Sequence, residues 1–218
     1  MQALTFPFNT CEESGKLIAQ PYSASVNVLS CIILLIMAIF YAKTPAVRLL
    51  LVSFILFQAY HAYSHMKWDR YQATGVHLLS YFAAGALVLG IWSVTGHLPF
   101  MPAVIVVFLV DLVLFLKMPG SIYSVYSGLL LWTVIVLTGI WGTTISISPE
   151  VRRLVPFILA LFVVLLGLIL NEKYNCEAMM KVMPLPYHVA IEVVGLILFS
   201  AFGYLFLLLE AAVHRLRL

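Results

Sequence analysis

The sequence predicts an all-α integral membrane protein, a seven-transmembrane helix bundle, on three observations. Of its 218 residues, 63% are hydrophobic and only 10% charged, and a mean hydropathy of +1.07 exceeds what a water-facing surface carries. Seven apolar runs approach the roughly 20 residues a helix needs to cross a bilayer. None alternates like a barrel strand, and lipid offers no partner to an unpaired backbone group, so helices are expected throughout.

The expected spans cover about 24–42, 47–66, 74–96, 101–117, 121–147, 151–171 and 186–213. Between them lie KTPA, KWDRYQ, TGHLPF, KMPG, SPEVRR and the longer NEKYNCEAMMKVMPLP, whose Pro, Gly and charges break the runs. The opening MQALTFPFNTCEESGK has two acids and no apolar core, unlike a cleaved signal peptide, so the first span is expected to be the anchor. Residues 1–218 read as one seven-span domain without repeat or linker, with an N-terminal segment at 1–23 and a short tail at 214–218.

Seven crossings put six Lys and Arg on each side but five of the seven loop and terminal acids on the N-terminal side, which favours an outside or lumenal N-terminus. The net charge of +3 is small and scattered, so no nucleic-acid partner is expected, and the closing ArgLeuArg with His214 reads as a juxtamembrane anchor. Cys31 lies in the first span and reads as an apolar filler. Cys11 and Cys176 precede the first and last spans and so share a face, where an oxidising compartment would permit a disulfide.

Ionisable groups within spans cost several kcal/mol unless they face the interior and find partners. His61 and His65 are four residues apart near the end of span two, and so project from one helix face. His77 begins span three, and His188 and Glu192, again four apart, begin span seven. These three span ends share a side, so the five residues converge if the spans are adjacent. Imidazole and carboxylate at that density suit Zn²⁺, which takes three protein ligands and an open position in a catalytic site. The alternatives are interfacial hydrogen bonding for His65 and His77 and an interhelical hydrogen bond for His188 with Glu192. His97 and His214 read as interfacial, and Trp68, Tyr81, Trp92, Trp132 and Trp141 as core or belt residues. Asp111, deep in span four, reads as hydrogen-bonded to Tyr123 or Tyr126 or as a proton relay, and Glu210 as a snorkelling or helix-end residue.

The segment NTCEESGKLIAQPYSASVN, the SHM after span two, NEKYNCEAM and HVAIE follow one another in an order that resembles the alkaline ceramidases. That family belongs to a superfamily of seven-transmembrane metal-dependent hydrolases that also includes the adiponectin and progestin receptors. The resemblance covers almost the whole chain, with degenerate motifs. It implies zinc held by one span-two His and an HxxxH pair on span seven, with a Ser four residues before the first His and an Asp at the start of span three assisting the bound water. It also implies a disulfide, matched here by Cys11 and Cys176.

Carried over, His188 matches the first span-seven ligand and Glu192 replaces the second His while remaining a zinc ligand. Aligning the His-Met pair makes His65 the span-two ligand, puts His61 at the serine position and His77 close to that of the aspartate. Aligning the preceding aromatic makes His61 the ligand and Phe57 the serine's replacement. The first register is preferred because it gathers the unusual polar residues together. The aspartate has no clear equivalent, with Asp69 expected in the turn. Of the family's calcium positions Glu12 survives, whereas Asn9, Ser14 and Gln20 replace carboxylate, amide and carboxylate, so calcium is carried over only weakly.

The resemblance thus implies a zinc-dependent hydrolase of the amide bond in ceramide or a related long-chain lipid, in the endoplasmic reticulum or Golgi, with the plasma membrane as a further location. His65, His188 and Glu192 would hold the metal, and His61 or His77 would complete its shell or act as general base. One alternative is a catalytically inactive lipid-binding or receptor protein with a structural metal. Another is a metal or proton transporter, for which Asp111 alone offers a deeper polar level.

Overall fold

In the computed structural model, residues 11–12, 17–67, 72–119, 121–141, 149–183 and 185–216 are described, and helix is their only regular secondary structure. The helices are α1 (Pro21–Ile36), α2 (Pro45–Met66), α3 (Gln72–Thr95), α4 (Met101–Lys117), α5 (Ile122–Val136), α6 (Pro149–Val182) and α7 (Tyr187–Leu216). A π turn extends α1 over Met37–Tyr41 and α5 over Leu137–Trp141. Proline opens α1, α2 and α6, where its missing N–H is one that no helix could pair anyway. Thr44 and Ser121 cap α2 and α5 by accepting from Val47 N and Ser124 N at 3.4 and 3.2 Å. Gly96 stops α3 with φ of 71°, a conformation in which a Cβ is disfavoured.

All the helices except α4 are long and apolar enough to cross a membrane, consistent with a multi-pass membrane protein. At 17 residues, α4 is about 26 Å long, at the lower limit for a hydrocarbon core about 30 Å thick. Large apolar side chains face outward along every helix, among them Ile32, Val106, Val113 and Val163. Such a surface is costly in water and suited to lipid.

Inside, α2 packs against α1, α3 and α7, while α3 also meets α5, and α6 lies along α7. Their shared centre is aromatic. Phe54 of α2 stacks on Trp132 of α5 at 5.6 Å and meets Phe199 of α7 edge-on at 5.2 Å.

Two sequence expectations change. The segment after residue 171, expected as a loop, continues as helix to Val182, bending at Asn175 (φ −126°, ψ 18°). Glu210 does not reach for an interface: it is buried, and its carboxylate accepts from Lys43 N at 2.9 Å and Thr44 N at 2.5 Å. It thereby pairs backbone donors at the entry to α2 and complements that helix's dipole. The chain around Asp69 and Trp68, and the expected end of span five at 142–147, lie outside the described residues.

Candidate metal centre

One end of the bundle gathers the ends of α2 and α6 and the starts of α1, α3, α5 and α7, and most of the buried polar residues lie there. On α2, Gln58, His61 and His65 follow at three- and four-residue steps, which align them on one face. The rings of His61 and His65 are 4.7 Å apart, and that of His188 is 5.1 Å from His65.

Glu192 of α7 is the hub. Its Oε1 lies 3.2 Å from His65 Nε2 and 3.1 Å from His188 Nε2. Its Oε2 accepts from Asn27 Nδ2 of α1 at 2.8 Å and lies 3.8 Å from His61 Nδ1. One donor atom each from His61, His65 and Glu192 falls within 4.8 Å of the others. Ligands of one zinc ion stand about 3.4 Å apart, so the three are near the required spacing.

A second layer orients the rings. His65 Nδ1 donates to Gln20 Oε1 at 2.5 Å and His188 Nδ1 to Glu172 Oε1 at 2.8 Å. With the Nδ1 protons so directed, a ring that is neutral turns the lone pair of Nε2 towards Glu192 Oε1, itself an acceptor, and the hydrogen bond of His65 Nε2 to that oxygen needs a second proton on the ring. Three acceptors about one point need protons or a cation between them. His188 Nε2, although 3.1 Å from that oxygen, is not aligned with it as a hydrogen bond and has no such partner among the described residues. An imidazole oriented by a carboxylate or carbonyl through its other nitrogen is the usual arrangement around a metal ligand. The residues present therefore fit a zinc ion.

The N-terminal segment closes this end. Gln20 N and Ala19 N donate to the carbonyls of His65 and Met66 at 2.8 and 3.2 Å, pairing acceptors that the end of α2 leaves open. Cys11 is joined to Cys176 with Cα atoms 5.5 Å apart, and its N–H donates to Glu172 Oε1 at 2.8 Å. The disulfide thus holds the segment against the residue that orients His188. Glu12 does not reach the cluster. It accepts from Tyr22 N at 2.8 Å and from the backbone and hydroxyl of Ser23, capping α1.

His77 stands apart from the cluster. Its Nε2 lies 3.1 Å from both Asp111 Oδ2 and Tyr81 Oη, and its ring stacks on Phe115 at 4.3 Å. Asp111 is fully buried and also accepts from the Ser127 hydroxyl. The tyrosines expected to hold it are elsewhere: Tyr126 donates to Leu166 O at 3.1 Å, and Tyr123 is exposed.

Both centres border one cavity of about 190 Å³. His61, Glu172, His188 and Glu192 form its polar end, His77 and Ser124 one wall, and Trp132, Phe162, Leu198 and Phe199 its apolar remainder. Sequence reasoning did not single out Glu172 and Asn27 as site residues and weighed Gln20 only as a calcium position. Glu172 is four residues before Cys176 in the sequence, so the cysteine pairing was the signal that could have brought it near the site.

No protein-family model, curated protein or solved structure matches this chain.

Proposed function

We propose that this chain is a seven-span membrane hydrolase that uses zinc to cleave the amide bond of ceramide or a related long-chain lipid. The observation that carries this reading is the His61, His65 and Glu192 cluster, of which His61 and Glu192 line the polar end of an otherwise apolar cavity within the bundle. An amphiphile would place its tail among Phe162, Phe199 and Trp132 and its polar linkage beside the cluster. At about 190 Å³ the cavity takes the reacting linkage and part of one chain, with the rest of the lipid passing between helices.

His61, His65 and Glu192 would hold the ion, with His188 the fourth donor at hand. Bound zinc supplies a Lewis acid and a water acidic enough to ionise near neutral pH. Gln20 and Glu172 keep His65 and His188 in the tautomer that turns Nε2 inward, and Asn27 fixes the Glu192 carboxylate. His77, paired with Asp111 and lining the same cavity, is the imidazole outside the cluster that can take up or hand over a proton.

The disulfide fits an oxidising compartment on the site's side, hence a lumenal N-terminus and residence in the endoplasmic reticulum or Golgi, with the plasma membrane second. Calcium does not enter this reading, because Glu12 is engaged in capping α1.

The test is release of fatty acid from a fluorescent ceramide by the purified chain. Turnover should be lost on chelation, restored by zinc, and absent in His65→Ala and Glu192→Ala. A purified protein that binds zinc yet turns over no long-chain amide would sink the enzyme reading. One observation favours the second reading, a lipid-binding or receptor protein with a structural metal. With His188 as a fourth donor the protein can fill a tetrahedral shell by itself, and a closed shell is a structural one.

A further inference from the structure

One turn further into the bundle than His61, on the same face of α2, Gln58 lines the cavity. Only 2% of it is exposed, and its Oε1 has no hydrogen-bond partner among the described residues. An unpaired carboxamide oxygen in this setting is expensive, because neither lipid nor the Phe57 and Leu129 side chains that share the wall can satisfy it. Of the hydroxyls that line the same cavity, Ser124 Oγ donates to Ser121 O at 2.8 Å, so its proton is not available to the amide. A leucine would fill the position more cheaply unless something that enters the cavity pairs with the amide.

We infer that Gln58 is a specificity residue that hydrogen-bonds the secondary amide of a bound lipid and so separates amides from esters. A carboxamide offers one acceptor and an N–H donor pair. Its natural complement is a group with both an N–H and a C=O, which a lipid amide has and an ester lacks. From its place on α2, Gln58 would meet that linkage just inside the cluster, with the tail running on towards Trp132. The inference rests on the cavity being the lipid site proposed above and narrows its substrate class. Discrimination of this kind is characteristic of sites whose own polar group goes unpaired when the wrong ligand binds.

The test uses two lipids with the same brominated acyl chain, one a secondary amide and the other the matching ester, added to the full chain in lipid nanodiscs. Bromine quenches nearby tryptophan, so Trp132 in the cavity wall reports binding whether or not turnover follows, and Trp132→Phe identifies its signal. The wild type should bind the amide about tenfold more tightly than the ester, the worth of about one hydrogen bond. In Gln58→Leu and in the nearly isosteric Gln58→Met the ratio should fall towards one, while the thermal midpoint of the ligand-free protein does not drop. Equal binding of amide and ester by the wild type, no binding of either, or an amide preference that survives both substitutions would overturn the inference. So would a lowered midpoint in both variants, which would show that Gln58 is a structural residue. An amide preference without hydrolysis would leave Gln58 its role and remove the hydrolase reading instead, so the two fail separately.

Discussion

Glu192 and Glu172 are both carboxylates within 4 Å of His188, yet they have different work. Glu192 joins three imidazoles through its two oxygens, whereas Glu172 touches one ring and the Cys11 N–H. Removing a group of the second kind typically weakens metal binding 10- to 100-fold. Glu172→Gln should therefore weaken zinc binding by about that factor, read by competition with a chromophoric chelator, and unchanged affinity would show that His188 needs no orientation. At the far end of the bundle Glu210 has a purely structural duty. Glu210→Ala leaves two backbone donors at the start of α2 unpaired and should cost about 1–3 kcal/mol in thermal unfolding, with zinc content unchanged. The histidines were legible in the sequence because few residue types are rarer in lipid. Gln20 and Asn27 were harder to see, since an uncharged amide near a span end resembles any other interfacial residue until the ring it faces is known.

The elements were legible in their apolar centres and less so at their ends. Hydropathy locates the middle of each helix, but a helix continues beyond the lipid-facing run wherever its backbone can pair, as α6 does through NEKYNCEAMMKV. That extension carries the chain from Glu172 across the break at Asn175 to Cys176, and lets the disulfide brace the cluster. Cys11→Ser with Cys176→Ser should lower the thermal midpoint, in line with the roughly 2–5 kcal/mol usual for a native disulfide. It should also speed zinc loss to a chelator, whereas a midpoint shift without faster loss would separate the brace from the site. The π turn that ends α5 depends on close contact. A Cβ on buried Gly139 would meet Ile91 Cδ1 at 2.8 Å and Pro99 Cγ at 3.1 Å. Ile91 is itself fully buried, so Gly139→Leu should destabilise the protein by about 1–3 kcal/mol or more.

At the scale of the whole molecule, counting crossings along the sequence is enough to bring α2, α3 and α7 to one end, and the same end also holds the starts of α1 and α5. Counting stops short at lateral position. His77 shares that end and the cavity, but α4 and α5 bring it Asp111 and Ser127, and no rule of spacing chooses among the neighbours of a helix in a bundle. Seven spans, an odd number, would place the termini on opposite sides. In sealed vesicles of the endoplasmic reticulum an N-terminal epitope tag should be protected from added protease and a C-terminal tag cleaved. Equal treatment of both tags would mean that α4 does not cross.

The most direct test of the central claim, a metal ion held by His61, His65 and Glu192, is the zinc content of the purified chain and of His65→Ala by inductively coupled plasma mass spectrometry. About one zinc per wild-type chain, lost in the variant while its helical circular dichroism is retained, is the expected result. A wild type without zinc, or a variant that keeps its metal, would contradict the claim and leave the cluster as a hydrogen-bonded network.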